Sequence, residues 1–180
     1  MAIIFSNTSI QFGSFTLSEK ADGFEFDGVI EVQGLCRYAT QAQGEISGYT
    51  SGGLGSVIEV TIDKFPFVAD SNATDVGDLT CTRSFLAGQS STVSGYSSGG
   101  ANPPSTRIDI VDKFPFATDA NATDVGELTQ ARNAAAGQSS TESGYTSGGG
   151  LPSSPPSPSI VIDKFTFSSD TSATSVGNLT

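Results

Sequence analysis

Oxygen-bearing side chains gather at two places in the chain: Asp70, Asn72 and Asp75 in DSNATD, and Asp119, Asn121 and Asp124 in DANATD. Closely spaced carboxylate and amide oxygens are what calcium takes. The same residue types form Asx-turns, in which the side chain accepts from backbone two residues on. A third copy, DTSATS, keeps Asp170 but has Ser172 and Ser175, so it lacks a carboxylate that calcium would need. Turn chemistry is the stronger reading, with a calcium site as its weaker rival.

Other chemistry is narrowed by composition. The chain contains no histidine, which excludes a histidine-based triad and histidine-ligated zinc. Its two cysteines, Cys36 and Cys81, stand at unrelated places without Cys-x-x-Cys spacing, and read as free thiols. Paired carboxylates could cleave a glycan. Almost every acidic residue belongs to a repeated segment, however, and Glu45, Glu59 and Glu142 have no evident carboxylate partner, so no enzyme activity and no cofactor is expected. Asn72-Ala73-Thr74 and Asn121-Ala122-Thr123 match the glycosylation pattern, but MAIIFSNTSIQFG is too short an apolar run for a secretory signal. A net charge of −11 with eight basic residues argues against a nucleic-acid backbone as partner, and no apolar run is long enough to span a membrane.

Repetition positions the remaining candidates. IDKFPFVADSNATDVGDLT starts at Ile62, VDKFPFATDANATDVGELT at Val111 and IDKFTFSSDTSATSVGNLT at Ile162. Upstream of each stands SGYxSGG, at Ser47 to Gly53, Ser94 to Gly100 and Ser143 to Gly149, and further upstream an arginine, Arg37, Arg83 or Arg132. The repeated arginine and the DKF aspartate (Asp63, Asp112, Asp163) suggest one structural ion pair per unit, because the planar guanidinium suits a half-buried carboxylate. Tyr49, Tyr96 and Tyr145 recur in Gly-Tyr. They read as packed rings with satisfied hydroxyls, with a ligand-facing row that stacks on sugars as the alternative.

Alternation in IEVTIDKFPF and RIDIVDKFPF marks a half-buried strand, with a phase change at Asp-Lys that suggests a bulge or turn. The DxNATD segment is turn-forming, and VGxLT reads as a short last strand. No stretch carries a helical apolar stripe. The expected fold is all-β, with about four short strands in each of three repeats, 37–80, 83–129 and 132–180. Residues 1–36 form a separate small β-element, an anchor or a cap, in which Ile10, Phe12, Phe15 and Leu17 make one apolar series and Asp27-Gly28 a hairpin turn. Phe65, Phe67, Leu79, Phe114, Phe116, Leu128, Phe165, Phe167 and Leu179 should occupy equivalent core positions. Only the segment after the paired glycines changes length, from LGSVIEVT through ANPPSTRIDI to GLPSSPPSPSIV, as surface loops on one face of a stack do. The prolines at 152, 155, 156 and 158 should hold the longest segment extended and unpaired.

Arginine, a small-residue strand, a strand ending in Gly-Gly, an apolar strand with an aromatic and a short last strand together resemble the kelch-type β-propeller repeat. The chain has no tryptophan, and Val76, Val125 and Val176 stand roughly where a kelch blade carries one. GYxSGG with DKFPFATDANATDVGELT is also similar to repeats of virion-associated proteins of tailed phages, notably marine cyanophages. These resemblances imply a non-enzymatic structural or recognition component of a phage particle, a tail appendage or fibre or a capsid-surface protein, located in the virion. The alternative is a cellular surface adhesin or carbohydrate-binding propeller. The implied partners are further copies of the chain, other virion proteins and a host-surface glycan or receptor. Three blades are fewer than the four to eight, roughly, that close a propeller, so a second copy, a higher symmetric assembly or a continuation of the polypeptide should complete them, with the N-terminal element as a cap the rival expectation.

Overall fold

The computed structural model describes residues 10–12, 15–20, 23–27, 47–55, 57–153 and 157–180. Among them there is no helix, and hence none long and apolar enough to cross a membrane. The chain divides into two compact units, Met1–Thr40 and Gln41–Thr180. Arg37, Cys36, Glu45 and the Asp27-Gly28 hairpin lie wholly or partly outside the described residues.

The first unit holds an antiparallel sheet in the order β1 (Ile10–Phe12), β2 (Phe15–Lys20), β3 (Gly23–Asp27). Its register sets Ile10 opposite Leu17 and Leu17 opposite Phe26, so the apolar series occupies cross-strand positions.

The second unit is built from the repeats. Repeat 1 forms the sheet β4 (Ser47–Leu54), β5 (Ile58–Pro66), β6 (Thr74–Asp78). Repeat 2 forms β7 (Ala87–Ser90), β8 (Ser94–Ser98), β11 (Ile110–Pro115), β12 (Thr123–Glu127), and its loop adds a small ladder of β9 (Ala101–Asn102) and β10 (Thr106–Arg107). Repeat 3 forms β13 (Ala136–Ser139), β14 (Ser143–Ser147), β15 (Val161–Thr166), β16 (Thr174–Asn178). Every pairing is antiparallel between chain neighbours in the sheet, a meander that needs only tight turns.

The phase change is real but displaced from its expected position. The DKF strand runs unbroken through Asp-Lys, and the irregularity sits in the facing strand: Ile62 pairs with Gly77 and Asp63 with Asp75, leaving Val76 as the extra residue. The same slip recurs between Val111 and Asp112 and between Ile162 and Asp163. The Asp75 carboxylate accepts from the Gly77 amide at 3.1 Å, and Asp124 from Gly126 at 3.0 Å, so each aspartate closes the bulge. The strand also begins earlier than expected, at the threonine of NATD, and ends before Leu-Thr.

The apolar core lies between sheets. One cluster joins Ile62 and Leu79 of repeat 1, with Tyr49 and Val76 against it, to Phe114, Phe116 and Ala122 of repeat 2. The second joins Tyr96, Val111 and Leu128 of repeat 2 to Phe165 and Ala173 of repeat 3, flanked by Val125 and Phe167. Each sheet thus offers a rear face carrying the tyrosine and leucine and a front face carrying the two phenylalanines. Three of the nine expected core residues are outside this core: Phe65 is half-buried, and Phe67 is 56% and Leu179 44% exposed, against 4% for Phe116 and Leu128. They belong to the outermost faces of the stack, where no described sheet covers them.

Candidate functional site

The polar groups that recur with the repeat converge on the joint between successive sheets. Arg83 Nη2 stands 3.0 Å from Asp112 Oδ2, and Arg132 Nη2 stands 2.9 Å from Asp163 Oδ2, with all four side chains fully buried. Each guanidinium also donates to a carbonyl of its own sheet, Arg83 to Ser97 and Arg132 to Thr146, both at 2.9 Å. The carboxylates gain their remaining donors from the preceding repeat. Thr80 gives its amide at 2.9 Å and its hydroxyl at 2.7 Å to Asp112, and Thr129 gives the same pair at the same distances to Asp163. Burial lowers the pKa of Arg132, and the neighbouring Asp163 charge opposes that shift. The guanidinium stays charged throughout the physiological range, because an arginine titrates far above neutrality and the Asp163 carboxylate opposes the loss of its proton. Asp63, in repeat 1, is only half-buried.

Arg83 and Arg132 differ in one partner. Arg132 Nη1 donates to Ser159 Oγ at 3.3 Å, whereas Arg83 Nη1 has no hydrogen-bond partner. Ile108 occupies in repeat 2 the sequence position that Ser159 occupies in repeat 3.

The tyrosines are part of the same joint. Tyr49 stacks on Phe116 at 4.8 Å and tilts against Phe114 at 5.6 Å, and Tyr96 does the same with Phe167 at 4.9 Å and Phe165 at 5.4 Å. Tyr96 is buried, and burial raises its pKa. A sugar cannot stack on a ring so enclosed, which removes Tyr96 from the ligand-facing row. Tyr49 and Tyr145 are half-buried. Within each sheet a glycine makes room for the phenylalanine of the paired strand: a Cβ on Gly95 would lie 2.3 Å from the Phe114 ring, and one on Gly144 2.4 Å from the Phe165 ring. The paired glycines serve the contact between sheets. Gly99 has φ 63°, and a Cβ there would lie 2.6 Å from the Arg132 carbonyl, to which Gly100 donates at 2.9 Å.

The calcium candidates distribute their oxygens over turns and joints. Asp75 and Asp124 close the bulges, and Asn121 accepts from the Asp78 amide across the joint at 3.0 Å. Asp119 pairs with Lys64 at 3.3 Å and Asp170 with Lys113 at 2.9 Å. Each pairing raises the lysine's pKa, chiefly through that hydrogen bond. Asp70 and Asn72 are exposed. Among the described residues no three His, Cys, Asp or Glu side chains converge as a metal site would require.

At the edge where β4, β7 and β13 approach one another, an open groove of about 340 Å³ is lined by Tyr49, Phe67, Gln89, Tyr96, Phe116 and Gln138 among others. Gln89 bridges its neighbours there, with Nε2 3.0 Å from the Tyr145 carbonyl and 2.9 Å from Thr146 Oγ1. Ser51 and Ser97 share a hydrogen bond at 2.7 Å, and Ser98 and Thr146 repeat it one joint further on.

The variable segments all connect the second and third strands of equivalent sheets, so they leave from the same end of each. Segment 101–107 is no open loop but the β9–β10 ladder. In repeat 3, Gly150 bridges to Pro158 and the Leu151 amide donates to the Ser157 carbonyl at 2.9 Å. The flanks of the longest segment are therefore paired, contrary to the expectation from its prolines, because Pro158 sits between the bonded groups: Ser157 accepts and the Ser159 amide donates to the Gly149 carbonyl at 2.7 Å, so the N–H that proline lacks is not called on. Its centre, 154–156, lies outside the described residues.

Sequence reasoning missed the threonine donors, the Tyr-to-Phe stacking and the Lys-to-Asp bridges. All recur with the repeat, so periodicity marked the positions. It could not name the partner, which lies in the next repeat rather than the same one. No protein-family model matches the chain. Nor does any curated protein.

Proposed function

We propose that the protein is a non-enzymatic structural and recognition component of a tailed-phage virion, a propeller-type stack that displays variable loops. The observation that carries the reading is the division of labour within each repeat. Arginine, aspartate, threonine, tyrosine and phenylalanine are spent on joints between sheets, while length variation is confined to segments leaving one end of the stack. A scaffold that holds its sheets rigidly and varies only its loops suits recognition of a surface. The kelch-like meander of four strands and the resemblance to cyanophage repeats support placing it on the particle, with other virion proteins and a host glycan or receptor as partners.

Mass spectrometry of purified particles, followed by immunogold labelling with antibody against segment 101–107, tests the assignment. Labelling at one site on the particle is the expected result, and absence of the chain from purified virions rejects it. The groove lined by Tyr49, Gln89 and Gln138 favours the carbohydrate-binding adhesin as second reading, because a half-buried ring beside amides is a sugar-binding chemistry. Glycan-array binding that is lost in Gln138→Ala, with no virion association, would select it.

A further inference from the structure

The two ends of the repeat stack are the two halves of one joint, and we infer that a second copy of this chain fills them, rear face onto front face, closing a six-sheet ring. Such a ring rests on the propeller-type reading of the stack and is independent of its place on a virion. Between repeats 1 and 2, and again between 2 and 3, the same contacts form, so the joint has a known composition. Tyrosine stacks on a phenylalanine pair, lysine bridges to the aspartate of DxNAT or its counterpart, and threonine caps the DKF aspartate.

At the stack's ends, among the described residues, each half of that set is present without the other. The rear face of repeat 3 carries Tyr145, Lys164, Val176 and Leu179, with Val176 51% exposed. The front face of repeat 1 carries Phe65, Phe67, Asp70 and Ala73. Ala73 is exposed where Ala122 and Ala173 are buried, and Asp70 and Lys164 form no salt bridge among the described residues.

Gly177 is the most telling position. A Cβ on Gly77 would lie 2.6 Å from the Ala120 carbonyl oxygen and one on Gly126 2.7 Å from the Ser172 amide, so both joints require glycine there. The third repeat has glycine at the same place, yet a Cβ on Gly177 would meet nothing within 4 Å. The rear face of repeat 3 is thus shaped for a neighbouring backbone like the one that presses on Gly77. Charge agrees with shape, since Lys164 would come opposite Asp70 as Lys64 comes opposite Asp119. A rear-to-front contact is heterologous, and such contacts close only at a suitable number of units. With the three repeat sheets described in each copy, the multiple that falls within the range of roughly four to eight blades is six, hence two copies.

Sedimentation and light scattering of the full chain across a range of concentrations test this, with Gly177→Val as the decisive variant. Wild type should sediment as two copies of the 18.4 kDa chain. Gly177→Val should keep the circular dichroism of the wild type and raise the dimer Kd by roughly 30-fold or more, because both joints of the ring meet the overpacked side chain. Lys164→Glu should weaken the dimer, and adding Asp70→Lys should restore it. That rescue reads the specific pairing even if Gly177→Val misfolds. A single copy at every concentration, a dimer indifferent to both Gly177→Val and Lys164→Glu, or a ladder of masses rising with concentration would each overturn the closed two-copy ring. None of these results bears on whether the chain is found in virions.

Discussion

Asp163→Ala is the most informative single change in the fold. Asp163 is fully buried, holds Arg132 Nη2 at 2.9 Å and accepts both the amide and the hydroxyl of Thr129 from the preceding sheet. Truncation leaves the Arg132 guanidinium charged and unpaired in a site without water access. Breaking a buried pair from one side costs about 3–5 kcal/mol, and the stranded Thr129 groups add about 1 kcal/mol. A loss of about 4–6 kcal/mol is expected from a net stability of about 5–15 kcal/mol for a domain of ordinary size. Urea denaturation followed by far-ultraviolet circular dichroism, at one fixed protein concentration, measures it. The companion Arg132→Met/Asp163→Ala removes both charges, and its loss should fall to about 1–3 kcal/mol, the cost of the unsatisfied Thr129 donors together with the Thr146 carbonyl that loses Arg132. An Asp163→Ala variant within about 1 kcal/mol of wild type, or a double variant less stable than the single one, would refute the account of a buried pair shared between sheets.

The remaining predictions concern packing, backbone and pH. Gly95→Ala should lower stability by about 1–3 kcal/mol, because the Phe114 ring must leave its place against the strand; an unchanged melting temperature would contradict the close approach. Ala134 adopts φ 53°, a left-handed conformation that disfavours a Cβ, so Ala134→Gly should stabilise by about 0.5–1 kcal/mol, readable as a higher urea midpoint. Burial raises the pKa of Tyr96, and the Asp170 hydrogen bond raises that of Lys113. Groups with raised folded-state values contribute fully below their unfolded pKa, about 10 for both types, and lose that contribution as pH rises through the folded value. Stability should therefore be insensitive to these two groups near neutrality and fall above about pH 10, with a shallower fall in Tyr96→Phe; identical alkaline profiles for the two proteins would refute the role of Tyr96.

Local pattern was enough for what is local or periodic. Alternation around Ile108, Ile110 and Phe114 marks the central strand, and three copies of Gly-Tyr-x-Ser-Gly-Gly mark equivalent environments, because identical neighbours along the chain impose identical backbone choices. Pairing the repeated arginine with the repeated aspartate also needed only the recurrence of both and the chemistry of a guanidinium. Tertiary structure decided the rest. Which Asp or Asn closes a bulge and which bridges a joint depends on where the next sheet lies: Asp75 turns inward on Gly77, while Asp119 reaches Lys64 of the preceding repeat. Phe67 and Phe116 are the same residue in the same motif, yet one is exposed and the other buried. Burial is a property of what stands opposite, and for Phe116 that is Tyr49, a residue from another repeat that no local pattern names.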